Sequence, residues 1–407
     1  MNIRWLSLIT ALALTACAQP APAINAGEAK GAVAVLDLPY ESTPSVDEAA
    51  DASEALGWLA VQNGEGLNRV VSPSSLSMSL VQAAEGARGA SLESIDDALG
   101  LAGDHRARAF GALRQSLLEY DDLPSKVDAD DPPETPVVHQ ASRVLAVDSE
   151  LQQPFLDRLS EFYDAPAEQV TLADAKPNLD AWVKKHTAGL IPQSAVTPDG
   201  STVAVLQDAL LFAAAWAQEF TGEPAIPFDT PDGVKPVDGL AGTFSVRFAG
   251  GERWTAVRLP YDDALAADVI LPRPGVDPVE LTERELAEAR FVLAQAEPEP
   301  VDVTMPAFDL AAKTDLLKAL PDIDLSDLGG IVEDGFAAQW AQQAKLIVTA
   351  KGTVGAAVTE MVIATSAGSS VEVRTFTVDR PYVFRVLDTR TGWPLFLAAI
   401  SNPSEES

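Results

Sequence analysis

The sequence predicts one α+β domain behind a targeting segment. Apolar residues recur at helical spacing through the first half of the chain, and strand-like apolar runs fill the second half. No proline-rich linker separates the halves, so we expect them to share one core. Predicted helices span residues 46–61, 74–85, 92–99, 107–118, 151–162 and 178–186. Predicted strands span residues 203–216, 244–248, 255–259, 268–271, 301–305, 346–350, 371–378, 382–387 and 394–400.

Composition narrows the function classes. The chain has 407 residues, 47% hydrophobic and 22% charged, with a formal net charge of −32. That balance fits a globular protein with a sizeable core. Its acidity argues against binding nucleic acid or heparin, because like charges repel. The acidic, proline-rich stretch 121–136 is expected to be a solvated loop.

The first residues resemble a bacterial lipoprotein signal. Arg4 precedes an apolar stretch at residues 5–14, and Leu14-Thr15-Ala16-Cys17 resembles a lipobox. We therefore expect a signal peptide at 1–16, lipidation of Cys17, a flexible tether at 17–45 and a folded domain at 46–407. The protein would then be anchored to the cell envelope outside the cytoplasm. An ordinary secretory signal that happens to contain a cysteine, with an extracellular product, remains the alternative.

Motifs of enzyme chemistry are absent from the sequence. It contains no Gly-x-Ser-x-Gly, Ser-x-x-Lys, His-Glu-x-x-His or P-loop pattern. Cys17 is the only cysteine, and none of the three histidines (His105, His139 and His186) pairs at the spacing of a zinc site. We expect no enzyme activity, no cofactor and no metal, although a periplasmic hydrolase stays open as an alternative.

Short motifs form an ordered set along most of the chain. They are Asn68-Arg69-Val70-Val71-Ser72-Pro73-Ser74-Ser75-Leu76, Glu85-Gly86-Ala87-Arg88-Gly89, Trp182-Val183 with Thr187, Gly189 and Ile191, the run 206–216 followed by Phe220, Leu259-Pro260-Tyr261, Ile270-Leu271-Pro272, the segment 376–384 and Asn402-Pro403. This set, from about residue 46 to 403, resembles the serpin family. The resemblance implies a serpin fold, helices over a large central sheet plus smaller sheets, with an exposed reactive loop near the C-terminus.

The resemblance also implies a mechanism. A protease attacks the reactive loop as a substrate; the cleaved loop then inserts into the central sheet and distorts the acylated protease. The segment that resembles the hinge of inhibitory members consists of Lys351, Gly352, Thr353, Val354, Gly355, Ala356, Ala357, Val358 and Thr359. The residues support this independently, because residues 353–365 contain no proline and their inward face, beginning at Thr353, is small or apolar.

Four positions depart from the family pattern. The glutamate before the hinge is Ala350, and the acidic residue after the hinge threonine is Val354. The shutter asparagine and histidine, which lie beneath the sheet, align with Asp208 and Gln342. We expect these two side chains to hydrogen-bond each other, with the shutter serines Ser72 and Ser75 nearby.

Loop length places the scissile bond at Ser366-Ala367, with Ala367-Gly368 as the alternative. The residue that enters the protease's specificity pocket is then Ser366 or Ala367, and both side chains are small and neutral. A trypsin-like pocket would reject either one, since the pocket carboxylate would stay unpaired. We expect the partner to be an elastase-like or subtilisin-like serine protease. We expect the inhibitor itself to be a monomer. A cysteine-protease target and a non-inhibitory binding or structural role remain open.

The lipid anchor can be tested at its acceptor. We expect Cys17→Ala to move the protein from the membrane fraction to the soluble fraction, because it removes the thiol that carries the lipid. Detergent partitioning and mass spectrometry of the N-terminal peptide measure this. A wild-type protein that is already unmodified and soluble would show that the lipobox interpretation is wrong.

Overall fold

The structure is a computed structural model, and it describes residues 28–29, 31–128, 131–262, 264–354 and 373–404. The anchor residue Cys17 and the proposed bait Ser366 and Ala367 lie outside these ranges. Within them, no helix has both the length and the apolar character needed to cross a bilayer.

Most helices belong to the first half of the chain. The α-helices are α1 (Val46–Gln62), α2 (Pro73–Ala84), α3 (Gly89–Leu99), α4 (Gly103–Ser116), α5 (Gln153–Arg158), α6 (Leu172–His186), α7 (Glu283–Gln295) and α8 (Leu316–Ala319). A π-helical turn, Leu159–Tyr163, continues α5. The start of α2 follows from its sequence, because the Ser72 hydroxyl accepts a hydrogen bond from the Ser75 backbone and Pro73 occupies the first turn.

Sixteen strands lie in the described residues. They are β1 (Glu28–Ala29), β2 (Arg69–Val71), β3 (Val137–Val147), β4 (Ala167–Val170), β5 (Ala204–Ala215), β6 (Ala225–Thr230), β7 (Gly233–Gly250), β8 (Trp254–Pro260), β9 (Leu265–Pro272), β10 (Pro298–Pro306), β11 (Phe308–Asp315), β12 (Ala341–Val348), β13 (Gly352–Thr353), β14 (Arg374–Thr377), β15 (Tyr382–Asp388) and β16 (Pro394–Ile400).

The strands form two sheets. The central sheet has the order β1-β4-β3-β5-β13-β12-β11, and the second has the order β14-β10-β7-β8-β9-β15-β16-β2, with β6 paired to β7. Helix α2 contacts both β5 and β16, so it lies between the sheets and supports the middle of the central one. The predicted α+β class is confirmed, although the predicted ranges do not include β3, β4, β6, β11, α7 or α8, nor the very short strands β1, β2 and β13.

Residues 31–45 correct one expectation. We expected a flexible tether, but this segment packs along α4 and the turn after α5. The Leu36 amide donates to the Glu161 carbonyl at 2.8 Å, and the Gln115 side chain bonds the Leu36 carbonyl and the Leu38 amide; we call this docked segment, residues 31–45, the strap. Leu38 is 4% exposed, and its Cδ1 would lie 2.9 Å from a Cβ placed on Gly111. Gly111 is therefore the close-approach position that admits the strap.

Leu38 gives a test of this docking. We expect Leu38→Ala to lower the free energy of unfolding by about 2–4 kcal/mol, since it opens a cavity beneath the strap. Val35→Ala, in the same segment at a side chain 44% exposed, is the matched control and should change stability little. Urea unfolding measures both. Equal effects from the two variants would contradict a docked strap.

Candidate functional site: an open slot in the central sheet

The central sheet is open in its middle. Strand β5 pairs with β3 on one side, and β12 pairs with β11 on the other. Between β5 and β12, the only strand pairing in the described residues comes from β13, where Gly352 and Thr353 reach Ala215 and Ala214 and Thr353 also reaches Val348. A cavity of about 330 Å³ lies along this gap. We call this gap, which the single short strand β13 enters at one end, the slot.

The hinge enters the top of the slot. A Cβ on Gly352 would lie 2.3 Å from the Ala214 carbonyl oxygen, so only glycine fits there. Thr353 is fully buried, and its hydroxyl is 2.5 Å from the Tyr261 hydroxyl. Tyr261 stacks in turn on Trp216, with ring centroids 4.5 Å apart. Thr353 thus faces inward, in agreement with the sequence expectation.

Val354 ends the paired part of the hinge. Its φ is +56°, in the left-handed region that β-branched residues rarely adopt. The side chain is 2% exposed and packs with Val137 and Ala213, while its amide donates to the Ile347 carbonyl at 3.1 Å. Packing and the hydrogen bond hold a conformation that costs on the order of 1–3 kcal/mol. Extended backbone at Val354 would release that strain.

The acidic segment borders the hinge, which modifies the expectation of a simple solvated loop. The Pro133 carbonyl accepts a hydrogen bond from the Ala215 amide at 3.1 Å, and Pro132 lies against Gly352. Asp131 is 4.0 Å from the Lys351 ammonium. Both side chains are substantially exposed, so this ion pair contributes little to stability. The segment closes the top of β5 beside the place where the hinge enters.

The shutter carboxylate Asp208 lies on β5, and its side chain hydrogen-bonds to residues of the neighbouring strand β3. Its two oxygens accept hydrogen bonds from Ser142 at 2.5 Å and Gln140 at 3.2 Å, both on β3. The Ser75 hydroxyl of α2 donates to the Asp208 backbone carbonyl at 3.4 Å. Burial raises the pKa of Asp208 to about 6, against these hydrogen bonds, which lower it.

Gln342, on the opposite side of the slot, has other partners, so the expected Asp208–Gln342 hydrogen bond is wrong. The Gln342 amide accepts from the Ser72 amide at 2.8 Å and donates to the Ser72 carbonyl at 2.9 Å. One side-chain amide therefore binds both backbone groups of Ser72, and within the described residues no hydrogen bond joins Gln342 to Asp208. Each slot strand is fixed to its own support, and the first turn of α2 touches both.

The structure describes only part of the predicted hinge. Lys351, Gly352, Thr353 and Val354 form the described part of the hinge, whereas Gly355, Ala356, Ala357, Val358 and Thr359 lie outside the described residues. Sequence reasoning missed Tyr261 as the partner of Thr353, although Tyr261 is in one of the quoted motifs. The described residues hold no cluster of three or more metal-ligating side chains.

Comparisons with known proteins agree with this architecture. The family model Serpin (serine protease inhibitor) matches residues 55–403. A serpin-like protein of Thermococcus kodakarensis is 27% identical over 84% of this chain and 82% of its own length. A serine protease inhibitor of Cyanea capillata is 26% identical over 83% of this chain and 93% of its own. The native structure of tengpin, a thermophilic serpin, superposes with a TM-score of 0.76 at 19% identity, covering 93% of this chain and all of tengpin.

The fold and the site thus define an α+β protein whose central sheet is paired between β5 and β12, within the described residues, only through the short strand β13. The chain belongs to the serpin family. Serpins are in general protease inhibitors and not catalysts, though some members do not inhibit.

Asp208 gives a pH-dependent prediction. The pKa of Asp208 is raised from 3.8 to about 6 in the folded protein. Its favourable contribution to the free energy of unfolding is therefore complete below pH 3.8 and is lost as the pH rises through 6. Ionising it at pH 7.5 costs up to about 3 kcal/mol. We expect Asp208→Asn to stabilise the protein by about 1–3 kcal/mol at pH 7.5 and much less at pH 4.

Thermal unfolding at the two pH values measures this gain. Asp97→Asn, an exposed carboxylate on α3, is the matched control and should shift the Tm little at either pH. A stabilisation by Asp208→Asn of equal size at both pH values would contradict a raised pKa.

Proposed function

We propose that this serpin inhibits serine endopeptidases as a suicide substrate, trapping the acylated protease by inserting its cleaved reactive loop between β5 and β12. The slot is the observation that supports the proposal. Two neighbouring strands that present unpaired backbone edges inside a sheet are a template for a further strand. Gly352 and Thr353 already occupy its first two positions.

The strand register gives the length of the proposed insertion. Thr353 pairs with Ala214 antiparallel, and continuing residue for residue down β5 would bring residue 363 opposite Ala204, the first residue of the strand. The inserted stretch would run from 353 to 363. Since Thr353 is already paired, about ten further backbone positions would gain ladder hydrogen bonds worth roughly 1 kcal/mol each, so insertion would release on the order of ten kcal/mol.

The same register explains the shutter positions. Residue 359 would lie opposite Asp208 on β5 and, counting from the Val348–Thr353 pair, opposite Gln342 on β12. Thr359 would thus enter between the two shutter side chains with a hydroxyl that both donates and accepts. The one charge of the stretch, Glu360, would lie opposite Gln207, on the face where Gln207 bonds Arg143.

The target class follows from the proposed bait. Cleavage at Ser366-Ala367 would place a small neutral side chain in the specificity pocket, which suits the shallow apolar pocket of elastase-like or subtilisin-like enzymes. Attachment through lipidated Cys17 would hold the inhibitor at the cell envelope, outside the cytoplasm, where such proteases meet it. A monomer suffices for this mechanism.

The deciding experiment is incubation with pancreatic elastase and, in parallel, subtilisin. We expect a complex that survives boiling in detergent, with the released peptide beginning at residue 367 by mass spectrometry. Clean cleavage without complex would identify a non-inhibitory member. Complex with papain alone would identify a cysteine-protease inhibitor, and hydrolysis of a generic ester or β-lactam would support the hydrolase alternative.

Substitutions at Thr353 test loop insertion separately from recognition of the loop by the protease. Because Thr353 is already buried against Tyr261, Thr353→Arg would displace the start of the hinge from the slot, and insertion would then have to bury an unpaired charge at a cost of several kcal/mol. The loop should be cut at the same bond at a similar rate, but slowed insertion should lower the yield of covalent complex at least about tenfold, because each 1.36 kcal/mol of barrier is a factor of ten.

Thr353→Ser is the matched control for that substitution, since it keeps the hydroxyl that meets Tyr261. It should form complex as the wild type does. Gel densitometry at fixed inhibitor-to-protease ratios measures the yield. Full complex formation by Thr353→Arg would mean that the hinge is misplaced or that inhibition does not use insertion.

A further inference from the structure

Two of the three histidines meet above the central sheet. His139 lies on β3, and His186 is the last residue of α6. The His139 Nε2 and His186 Nδ1 atoms are 2.8 Å apart, and the rings lie within 9° of parallel. Atoms of stacked rings cannot approach so closely, so the rings meet edge to edge through one N–H···N hydrogen bond.

A carboxylate fixes the direction of this bond. Asp121 Oδ1 is 2.6 Å from His139 Nδ1. Because an ionised carboxylate only accepts, His139 donates from Nδ1, and its neutral ring accepts at Nε2 from His186 Nδ1–H. If His139 takes a proton, it becomes the donor to His186. The pair therefore tolerates one added proton. A second added proton would leave two N–H groups pointing at each other with no acceptor between them, and would place two positive charges next to each other.

The bond joins α6 to the sheet beside the slot. Val183 on α6, and Thr187 and Leu190 directly after it, line the cavity between β5 and β12. The other ties of α6 do not depend on the pair. Arg143 of β3 donates to the Asn178 carbonyl at 3.2 Å and lies 5.0 Å over the Trp182 ring. Breaking the histidine bond would loosen mainly the C-terminal turn of α6.

We propose that Asp121, His139 and His186 form an acid-sensitive latch that holds the C-terminal end of α6 over the slot and releases it when both histidines are protonated. The regulatory consequence, easier strand insertion in acid, rests on the proposed function, whereas the latch itself does not. It differs from the hinge and the shutter, because it acts on the helix covering the slot's outer face.

Charges around the pair set the pH of release. Burial lowers the pKa of His186 to about 4, assisted by the positive charges of His139, Lys185 and Arg143 and opposed by Asp121. From the short turn Pro124–Lys126, which contacts α6, Lys126 is held by Asp122 at 2.8 Å. On β5, the residue opposite His139 is the uncharged Leu211.

The latch is tested by hydrogen–deuterium exchange of the full chain between pH 7 and pH 3.5, with rates corrected for the intrinsic pH dependence. We expect protection of residues 183–190 to fall about five- to tenfold as His186 takes its proton, because one net hydrogen bond is lost, while residues 176–182 keep their protection through Arg143. In His186→Gln, the glutamine amide can still donate to His139 but cannot take up a proton. Protection of the end of α6 in this variant should therefore not change with pH.

His105→Gln is the matched control, because it alters the third histidine, on α4, and should behave as the wild type does. Side-chain ¹⁵N spectra of His186 supply a second measurement, in which protonation of that ring should coincide with the fall in protection. An equal fall of protection in His186→Gln, or a fall that does not follow the protonation of His186, would overturn the proposal. Failure to form a protease complex at pH 7.5 would refute the proposed function and leave the latch result intact.

Discussion

The structure depends on two strand edges left unpaired inside a sheet. Buried backbone groups normally find partners, and an internal edge without them costs stability along its whole length. Among the residues that the structure describes, β5 and β12 share only β13, which fills two positions at one end of the gap. The remaining features follow from that cost: α2 supports the gap from below, α6 and the segment after it cover it from outside, and Thr353 and Val354 hold the chain at its mouth.

The departures from the family pattern fit this arrangement physically. Gln342 binds both backbone groups of Ser72, so β12 is fixed to the start of α2 without a charged or aromatic group. Asp208 is fixed to β3 through Ser142 and Gln140. In the described residues no shutter side chain bonds directly from β5 to β12. Separating these two strands therefore need not break a hydrogen bond between them, and the strain at Val354 favours extension over the bent hinge.

Much of the fold follows from local patterns, while the long-range contacts do not. The run containing β5 is apolar throughout, and the inward orientation of Thr353 follows from strand alternation. Strand β3 was missed because His139, Gln140, Ser142 and Arg143 interrupt its apolar pattern with polar groups that find partners only in the fold. The strap was mistaken for a tether because the Ala- and Pro-rich composition of the longer stretch 18–45 outweighs Leu36 and Leu38. His139 and His186 are 47 residues apart, a separation that no short motif reports.

The two faces of the slot respond to acid in opposite senses. As the pH falls from 6 towards 3.8, the inner carboxyl of Asp208 takes a proton in the folded state before it would in the unfolded chain, which favours folding. As the pH falls from 6.5 towards 4, His186 resists a proton that the unfolded chain accepts, which disfavours folding. The windows overlap, so the two contributions partly cancel in the free energy of unfolding. Acid can then loosen the cover of the slot while the sheet beneath it becomes more stable, which confines the response to α6.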